Sequence, residues 1–280
     1  MASKQYNVYI NTKNIDIRDR GFNFGDGVFE TILVKNKNLQ NLKEHFQRLR
    51  SGCASLKIKS PSFEFIQSNS KKAISKYSNC ILKIYITRGS NEQGYTFGKS
   101  IVHNIYFRVI PELPSIIKIT GLNLKISKQI LQPNIYYGGV KHMNRIDQSL
   151  AAYDLLHNPR YDDIILIDDK KNIIETISSN IFFAKQLESK MIFYTPKIKK
   201  CGVEGIMRNK VIQYLMKKDY KLIIKDIITK DIENYDYCFI TNSIKGLRFV
   251  KNVGSKKFRD PDSLFELLET FFKTHFLNSG

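Results

Sequence analysis

Two glycines, Gly138 and Gly139, stand just before Lys141, and a helix-forming run, MNRIDQSLAAYDLLHN, begins just after it. A lysine desolvated in a pocket has a lowered pKa, and its amine becomes a usable nucleophile or base. Alone, Lys141 would be one solvated lysine among many, but its neighbours change the odds. Further on, ETISSNIFF places Glu175, Ser178 and Asn180 at a strand end. Then TPKIKKCGVEGIMRNKVI leads a loop into a helix at Gly205, Ile206, Met207 and Arg208, and FITNSIKGLRFV puts Asn242 and Ser243 at another strand end. A loop entering a helix offers backbone N–H groups and the positive end of the helix dipole, which suits an anion.

Other chemistries fail on spacing. GYTFGKS at 94–100 is not a phosphate-binding P-loop: Gly94 and Gly98 enclose three residues where four are needed, and a strand-like run follows instead of a helix. The motifs HExxH, GxSxG and GxGxxG are absent, and the five histidines have no metal-ligand spacing, so no metal site is expected. The net charge of +19 invites a nucleic-acid reading. The lysines are scattered, however, and the basic tracts KIKK and SKKFR are short, so no nucleic-acid partner is expected.

In order, DRGFNFGDGVFET, HFQRL, the Lys141 segment, ETISSN, GVEGIMR and NSIKG resemble the fold-type IV pyridoxal 5'-phosphate (PLP) enzymes. That family holds branched-chain and D-amino acid aminotransferases and aminodeoxychorismate lyase. The resemblance runs over nearly the whole chain. Within the family, GxKHxNRxxQ together with GVxGIMR is most similar to aminodeoxychorismate lyase. The resemblance implies an α+β fold of two domains, each a β-sheet packed with helices: 1–117, and 118–280 carrying Lys141. It implies PLP attached through Lys141, with Glu175 as the anion facing the pyridine nitrogen. Arg48, the backbone of Ile206 and Met207, and the Ser243 hydroxyl match the phosphate ligands, and Ser178 belongs to the cofactor-binding set. Thr31, in FETILV, faces the substrate. A homodimer is implied as well.

Two positions depart from relatives. Branched-chain aminotransferases place a tyrosine five residues after the lysine, where this chain has Ile146. Some relatives have an arginine where Gln93 stands. The resulting expectation is a PLP-dependent lyase of folate biosynthesis. It would convert the small molecule 4-amino-4-deoxychorismate to 4-aminobenzoate and pyruvate, with Lys141 as anchor and base. Arg88 or Lys245 would meet the carboxylates of this dianion. A transaminase of D-amino or branched-chain amino acids is the alternative.

These residues need a scaffold, and the composition supplies one. With 280 residues and 42% hydrophobic content, the chain can bury two cores. The start, MASKQYNVYINTKN, lacks an apolar leader, and no stretch reaches membrane-spanning length. Cys53, Cys80, Cys201 and Cys238 are widely spaced and read as reduced thiols of a cytoplasmic protein. YNVYINTKNIDI predicts a hairpin, and GFNFGDG a tight turn into a strand. Leu42, Phe46, Leu49, Cys53 and Leu56 lie at helical spacing. A second helix falls within 61–77, and two strands surround a loop at 91–100. After PELP at 111–114, strands alternate with helices, and DSLFELLETFFKTHF closes the chain as an amphipathic helix.

Overall fold

Alternating apolar runs and helical periods sort the chain into two compact units. The computed structural model describes residues 5–111, 113, 121–188 and 190–272. One unit comprises Met1–Leu113 and Val140–Asn144, and the other Pro114–Gly139 and Arg145–Ser279. The expected boundary at 117/118 lies outside the described residues.

The first unit runs β1 (Tyr6–Ile10), α1 (Arg20–Phe24), β2 (Gly27–Lys35), β3 (Asn38–Leu39), α2 (Leu42–Ser55), α3 (Phe63–Ala73), β4 (Cys80–Thr87) and β5 (His103–Ile110). Its sheet has the order β1-β5-β4-β2-β3. Val28, Ile32 and Val34 of β2 and Ile84 and Ile86 of β4 bury one face beneath Leu42, Phe46, Leu49 and Cys53 of α2. Period-2 apolar positions on strands thus meet a period-3.6 stripe on a helix.

The opening segment is not a hairpin. β1 pairs in parallel with β5, Tyr6 opposite His103. After Ile10 the chain turns at Asn11, whose φ is 50°. The Asn11 side-chain oxygen accepts from Val109 N at 2.8 Å, so the residues expected to form the return strand are turned away. GFNFGDG likewise holds a short helix before the strand. Asp19 caps α1 by accepting from Gly21 N at 2.7 Å, and Gly25, with φ 65°, ends it in the left-handed region.

The second unit runs β6 (Leu122–Ile130), α4 (Ile146–Leu156), β7 (Asp163–Ile167), β8 (Ile173–Thr176), β9 (Asn180–Leu187), β10 (Lys190–Pro196), α5 (Ile206–Lys217), β11 (Lys221–Lys225), β12 (Tyr237–Asn242), β13 (Gly246–Val253), β14 (Lys256–Lys257) and α6 (Asp262–Phe272). Its nine-stranded sheet has the order β11-β10-β9-β12-β13-β6-β7-β8, with β14 beside β13. Both faces of its centre are covered, which explains the unbroken apolar run of β9. Phe182 and Ala184 face a core built with α5 and α6. Ile181 and Phe183 face a second core with Leu124, Ile165 and Ile240. Phe182 and Phe239 stack with centroids 4.9 Å apart. The part of the expected closing helix after Phe272 lies outside the described residues.

The four cysteines are buried and carry free thiols. No helix among the described residues is long and apolar enough to cross a membrane.

Candidate functional site

In the first unit, the Lys141 segment is pinned as an additional strand against β2. Phe29 N donates to the Lys141 carbonyl at 3.0 Å, and Met143 N donates to the Gly27 carbonyl at 2.9 Å. Val28 stands opposite His142 in an antiparallel bridge. Although Lys141 follows the expected domain boundary in the chain, its contacts group it with the first unit. This pairing puts the side chains of Phe29 and Lys141 on one face, and the Lys141 Nζ lies 4.3 Å from the Phe29 ring centroid. Thr31, two residues beyond Phe29, faces the same way.

The opposite face of β2 carries Glu30, which is buried. Arg48 reaches it from α2 with two hydrogen bonds, Nε to Oε1 and Nη2 to Oε2, each 2.7 Å. His45, one turn earlier on the same helix face, holds Glu30 Oε2 at 2.6 Å through Nδ1. Burial alone would raise the Glu30 carboxyl, but the Arg48 guanidinium and His45 outweigh it and hold the group down at about 2. His45 is shifted down, mainly by burial, despite the carboxylate beside it. Its Nε2 has no hydrogen-bond partner among the described residues, so protonation would bury an unsatisfied donor. Arg48 is therefore aimed by a buried carboxylate while its side chain stays 16% exposed.

Neither Glu30 nor His45 belonged to the expected set. The signal was present: an acid sits at a core-facing position of an apolar strand, and two basic residues stand three apart on the facing helix. A buried acid requires such partners.

Arg88, a candidate for the substrate's carboxylates, is otherwise engaged. It forms a bidentate pair with Asp26 at 2.8 and 3.0 Å and donates to the carbonyls of Leu56 and Lys57 at 2.7 and 3.0 Å. Asp26 also receives Arg20 Nε at 3.0 Å. Arg88 thus ties together β4, the residues after α2 and the entry to β2.

In the second unit, Glu175 lies buried in β8. Its Oε2 accepts from Val203 N at 2.8 Å, and its Oε1 accepts from Gln148 Nε2 at 3.3 Å. The loop that brings Val203 there passes through Gly202, whose φ is 80°. A Cβ at Gly202 would lie 2.6 Å from Ile174 Cγ2 and 3.3 Å from Glu175 Oε2. Glycine is required for both the backbone angle and the approach. Asn180 fixes the same loop by donating to the Val203 carbonyl at 2.9 Å. Gly139 forms a parallel bridge with Val203 and accepts from Glu204 N at 3.1 Å.

Gly205 caps α5 without a side-chain hydrogen bond, so Ile206 and Met207 open a helix with no side-chain cap. Ser178 and Ser243 are connected through Asn242. Its Nδ2 donates to the Ser178 carbonyl at 3.2 Å, and its Oδ1 accepts from the backbone of Ile244 and Lys245 at 3.0 and 2.7 Å. The second unit thus brings Glu175 to the loop that enters α5, and Ser178 to the turn holding Ser243. The first unit brings Lys141 and Thr31 to one face and sets Arg48 behind β2.

The donor set fits PLP in kind. It includes an amine beside an aromatic ring, a buried carboxylate on hydrogen-bond donors, an oriented guanidinium and a helix start without a side-chain cap.

The chain matches the amino-transferase class IV family over residues 27–253. It is 28% identical over 244 residues to an aminodeoxychorismate lyase from Vibrio harveyi, covering 86% of this chain and 88% of that one. It is 24% identical over 239 residues to a D-alanine aminotransferase from Bacillus licheniformis, covering 82% and 79%. Its fold is similar to that of a 4-amino-4-deoxychorismate lyase from Pseudomonas aeruginosa, with a TM-score of 0.86 at 22% identity over 95% and 96% of the two chains. The Escherichia coli branched-chain amino acid aminotransferase gives a TM-score of 0.84 at 16% identity over 96% and 91%.

Proposed function

Since the chain belongs to the amino-transferase class IV family, whose members use PLP, we propose that it is an aminodeoxychorismate lyase, converting 4-amino-4-deoxychorismate to 4-aminobenzoate and pyruvate. The observation that carries the lyase reading over transamination is the similarity to the Vibrio harveyi enzyme, 28% over most of both chains. Ile146 supports it, standing where branched-chain aminotransferases place a tyrosine.

In this reading Lys141 is the attachment residue. Glu175 is the anion facing the pyridine nitrogen, held in place by Val203 N and Gln148. Arg48, the amides of Ile206 and Met207, and Ser243 hold the phosphate, with Ser178 completing the set. When bound, PLP withdraws electrons from the carbon bearing the substrate's amine and acidifies the proton there. Lys141, as the amine, takes that C4 proton. The enolpyruvyl C–O bond breaks, the ring becomes aromatic, and the departing group gains a proton to leave as pyruvate. One residue thus serves as anchor and base, so no separate base has to be positioned. Thr31 lies on the same face as Lys141 and contacts the substrate. The pathway role in folate biosynthesis follows from the product.

The assembly we propose is a homodimer. Ile146, Leu150 and Tyr153 of α4 recur at helical spacing and are 61%, 47% and 66% exposed, an apolar face suited to an isologous contact. Light scattering of the purified protein reads this directly, and a monomer at micromolar concentration contradicts it.

Supplying aminodeoxychorismate and following 4-aminobenzoate by fluorescence tests the activity. D-alanine with 2-oxoglutarate is the control. Rapid transamination without 4-aminobenzoate would overturn the lyase reading. Lys141→Ala should abolish the cofactor's visible band and lower turnover about 10³-fold or more.

A further inference from the structure

Glycine is the poorest residue after proline for a helix interior, yet Gly52 stands buried inside α2. A Cβ there would lie 3.0 Å from Val28 Cγ1 and 3.3 Å from Val140 Cγ1. Carbon atoms in good van der Waals contact settle at about 3.5–4.0 Å. Gly52 is therefore the point at which α2 comes down onto β2 and onto the residue just before Lys141. Val140 meets the helix at that point and packs against the first core.

Side chains alternate along the Lys141 segment. Val140 faces α2, and Lys141 faces the other way, towards the Phe29 ring. Two residues on, Met143 lies on the Lys141 side against Gly27, where a Cβ would be 2.7 Å from its Sδ. The hydrogen bonds from Phe29 N to the Lys141 carbonyl and from Met143 N to the Gly27 carbonyl fix the segment alongside β2. They leave its height relative to the sheet open. The contacts at Gly52 and Gly27 set that height, one from each side. Gly52 also shares a face of α2 with Arg48 and His45, which stand four and seven positions before it. One helix thus meets the attachment segment and delivers the phosphate-binding guanidinium. PLP has a fixed span between its aldehyde and its phosphate, so the two must be held in step.

We propose that Gly52 and Val140 are positioning residues for Lys141. Their contact ties the amine to the helix that carries Arg48, so that one PLP molecule meets both. This rests on the reading of Lys141 as the attachment residue and Arg48 as a phosphate ligand. In a Gly52→Ala variant, α2 is held by Leu42, Phe46, Leu49 and Cys53 in the core and by the Glu30 clamp. The less buried Val140, and Lys141 with it, is the part that yields.

Two probes separate the two ends of the cofactor. PLP engages the Lys141 amine through its aldehyde. Pyridoxine 5'-phosphate has the same ring and phosphate but an alcohol in place of the aldehyde, so it binds without Lys141. Titration calorimetry of each into the full-length chain freed of cofactor gives the affinities, and visible absorbance reports attachment. Gly52→Ala should weaken PLP about tenfold or more and pyridoxine 5'-phosphate less than about twofold. Val140→Ala should act in the same direction with a smaller loss, and it carries the test if Gly52→Ala does not fold. In the double variant the methyl group added on α2 enters space that the valine vacates, so it should bind PLP more tightly than Gly52→Ala alone. Equal losses for the two probes, or losses that add in the double variant, overturn the proposal. A visible band that survives Lys141→Ala overturns the attachment reading and this proposal with it. A band that is lost with Lys141, while both single variants keep the wild-type preference for PLP, overturns this proposal alone.

Discussion

Glu30 and Glu175 are both buried carboxylates on strands, one in each unit, and their partners differ in kind. Glu30 is clamped by a guanidinium and an imidazole delivered from one helix face. Glu175 rests on a backbone amide and a glutamine amide. The first arrangement uses the carboxylate's charge to fix a cation, Arg48, in direction. The second sets a carboxylate against the N–H donors of Val203 and Gln148, which fix its direction. Burial therefore does not state what an acid is for; the groups it is set against do.

Glu30→Gln strikes the comparison hardest. It leaves the Arg48 charge without its buried counter-ion and should cost about 3–5 kcal/mol of stability, read by urea unfolding. Loss of cofactor retention should follow. The double variant Glu30→Gln with Arg48→Met should recover part of the stability. If Glu30→Gln alone is neutral, the clamp is not a structural element.

Glu175→Gln should behave in the opposite way. The amide oxygen can still accept from Val203 N, so unfolding should shift little. Turnover should fall about 10²-fold with the loss of the anion proposed to face the cofactor, measured at saturating substrate. A large loss of stability with unchanged turnover would make Glu175 a second structural clamp and erase the distinction.

Acid should expose the Glu30 cluster first. Glu30 is held at about 2 in the folded chain against an ordinary value of 4.5. Its contribution is present above 4.5 and is lost as pH falls from there towards 2. His45 is also shifted down from its ordinary 6.5, so the unfolded chain takes up its proton first and stability begins to fall below 6.5. Unfolding free energy measured between pH 7 and 3 should decline in both ranges. Glu30→Gln should flatten the lower range, and His45→Gln the upper.

The smallest effect concerns the loop beneath Glu175. Gly202→Ala places a Cβ against Ile174 at a φ that disfavours L-residues, and about 1–2 kcal/mol of stability should go with it. Turnover should drop with it because Val203 N is displaced from Glu175. A variant with native melting temperature and turnover would show that this loop does not position the carboxylate.

Much of the fold was legible because local period and tertiary burial agree. The stripe Leu42, Phe46, Leu49, Cys53 predicts the helix that forms, and the apolar run of β9 fits a strand covered on both faces. The opening segment was misread because alternation marks a strand without naming its partner. Tyr6–Ile10 pairs with β5, almost a hundred residues away. Arg88 was misread for a similar reason. An arginine in a strand-ending TRG is the same on the page whether it meets a ligand or, as here, Asp26 and two carbonyls.

The sequence by itself determined the reactive types and their order: Lys141 after two glycines, Glu175 at a strand end, a glycine entry to α5 and a serine after β12. These are statements about chemistry and local conformation, which neighbouring residues dictate. Only the tertiary structure decided that the Lys141 segment is held as a strand on β2, that Arg48 is aimed by Glu30 and His45, and that Arg88 serves the scaffold. It also brought Gly52 of α2 against Val140, just before Lys141. Each of these depends on which distant strands pair and in what register, and a one-residue shift would turn every such side chain to the other face.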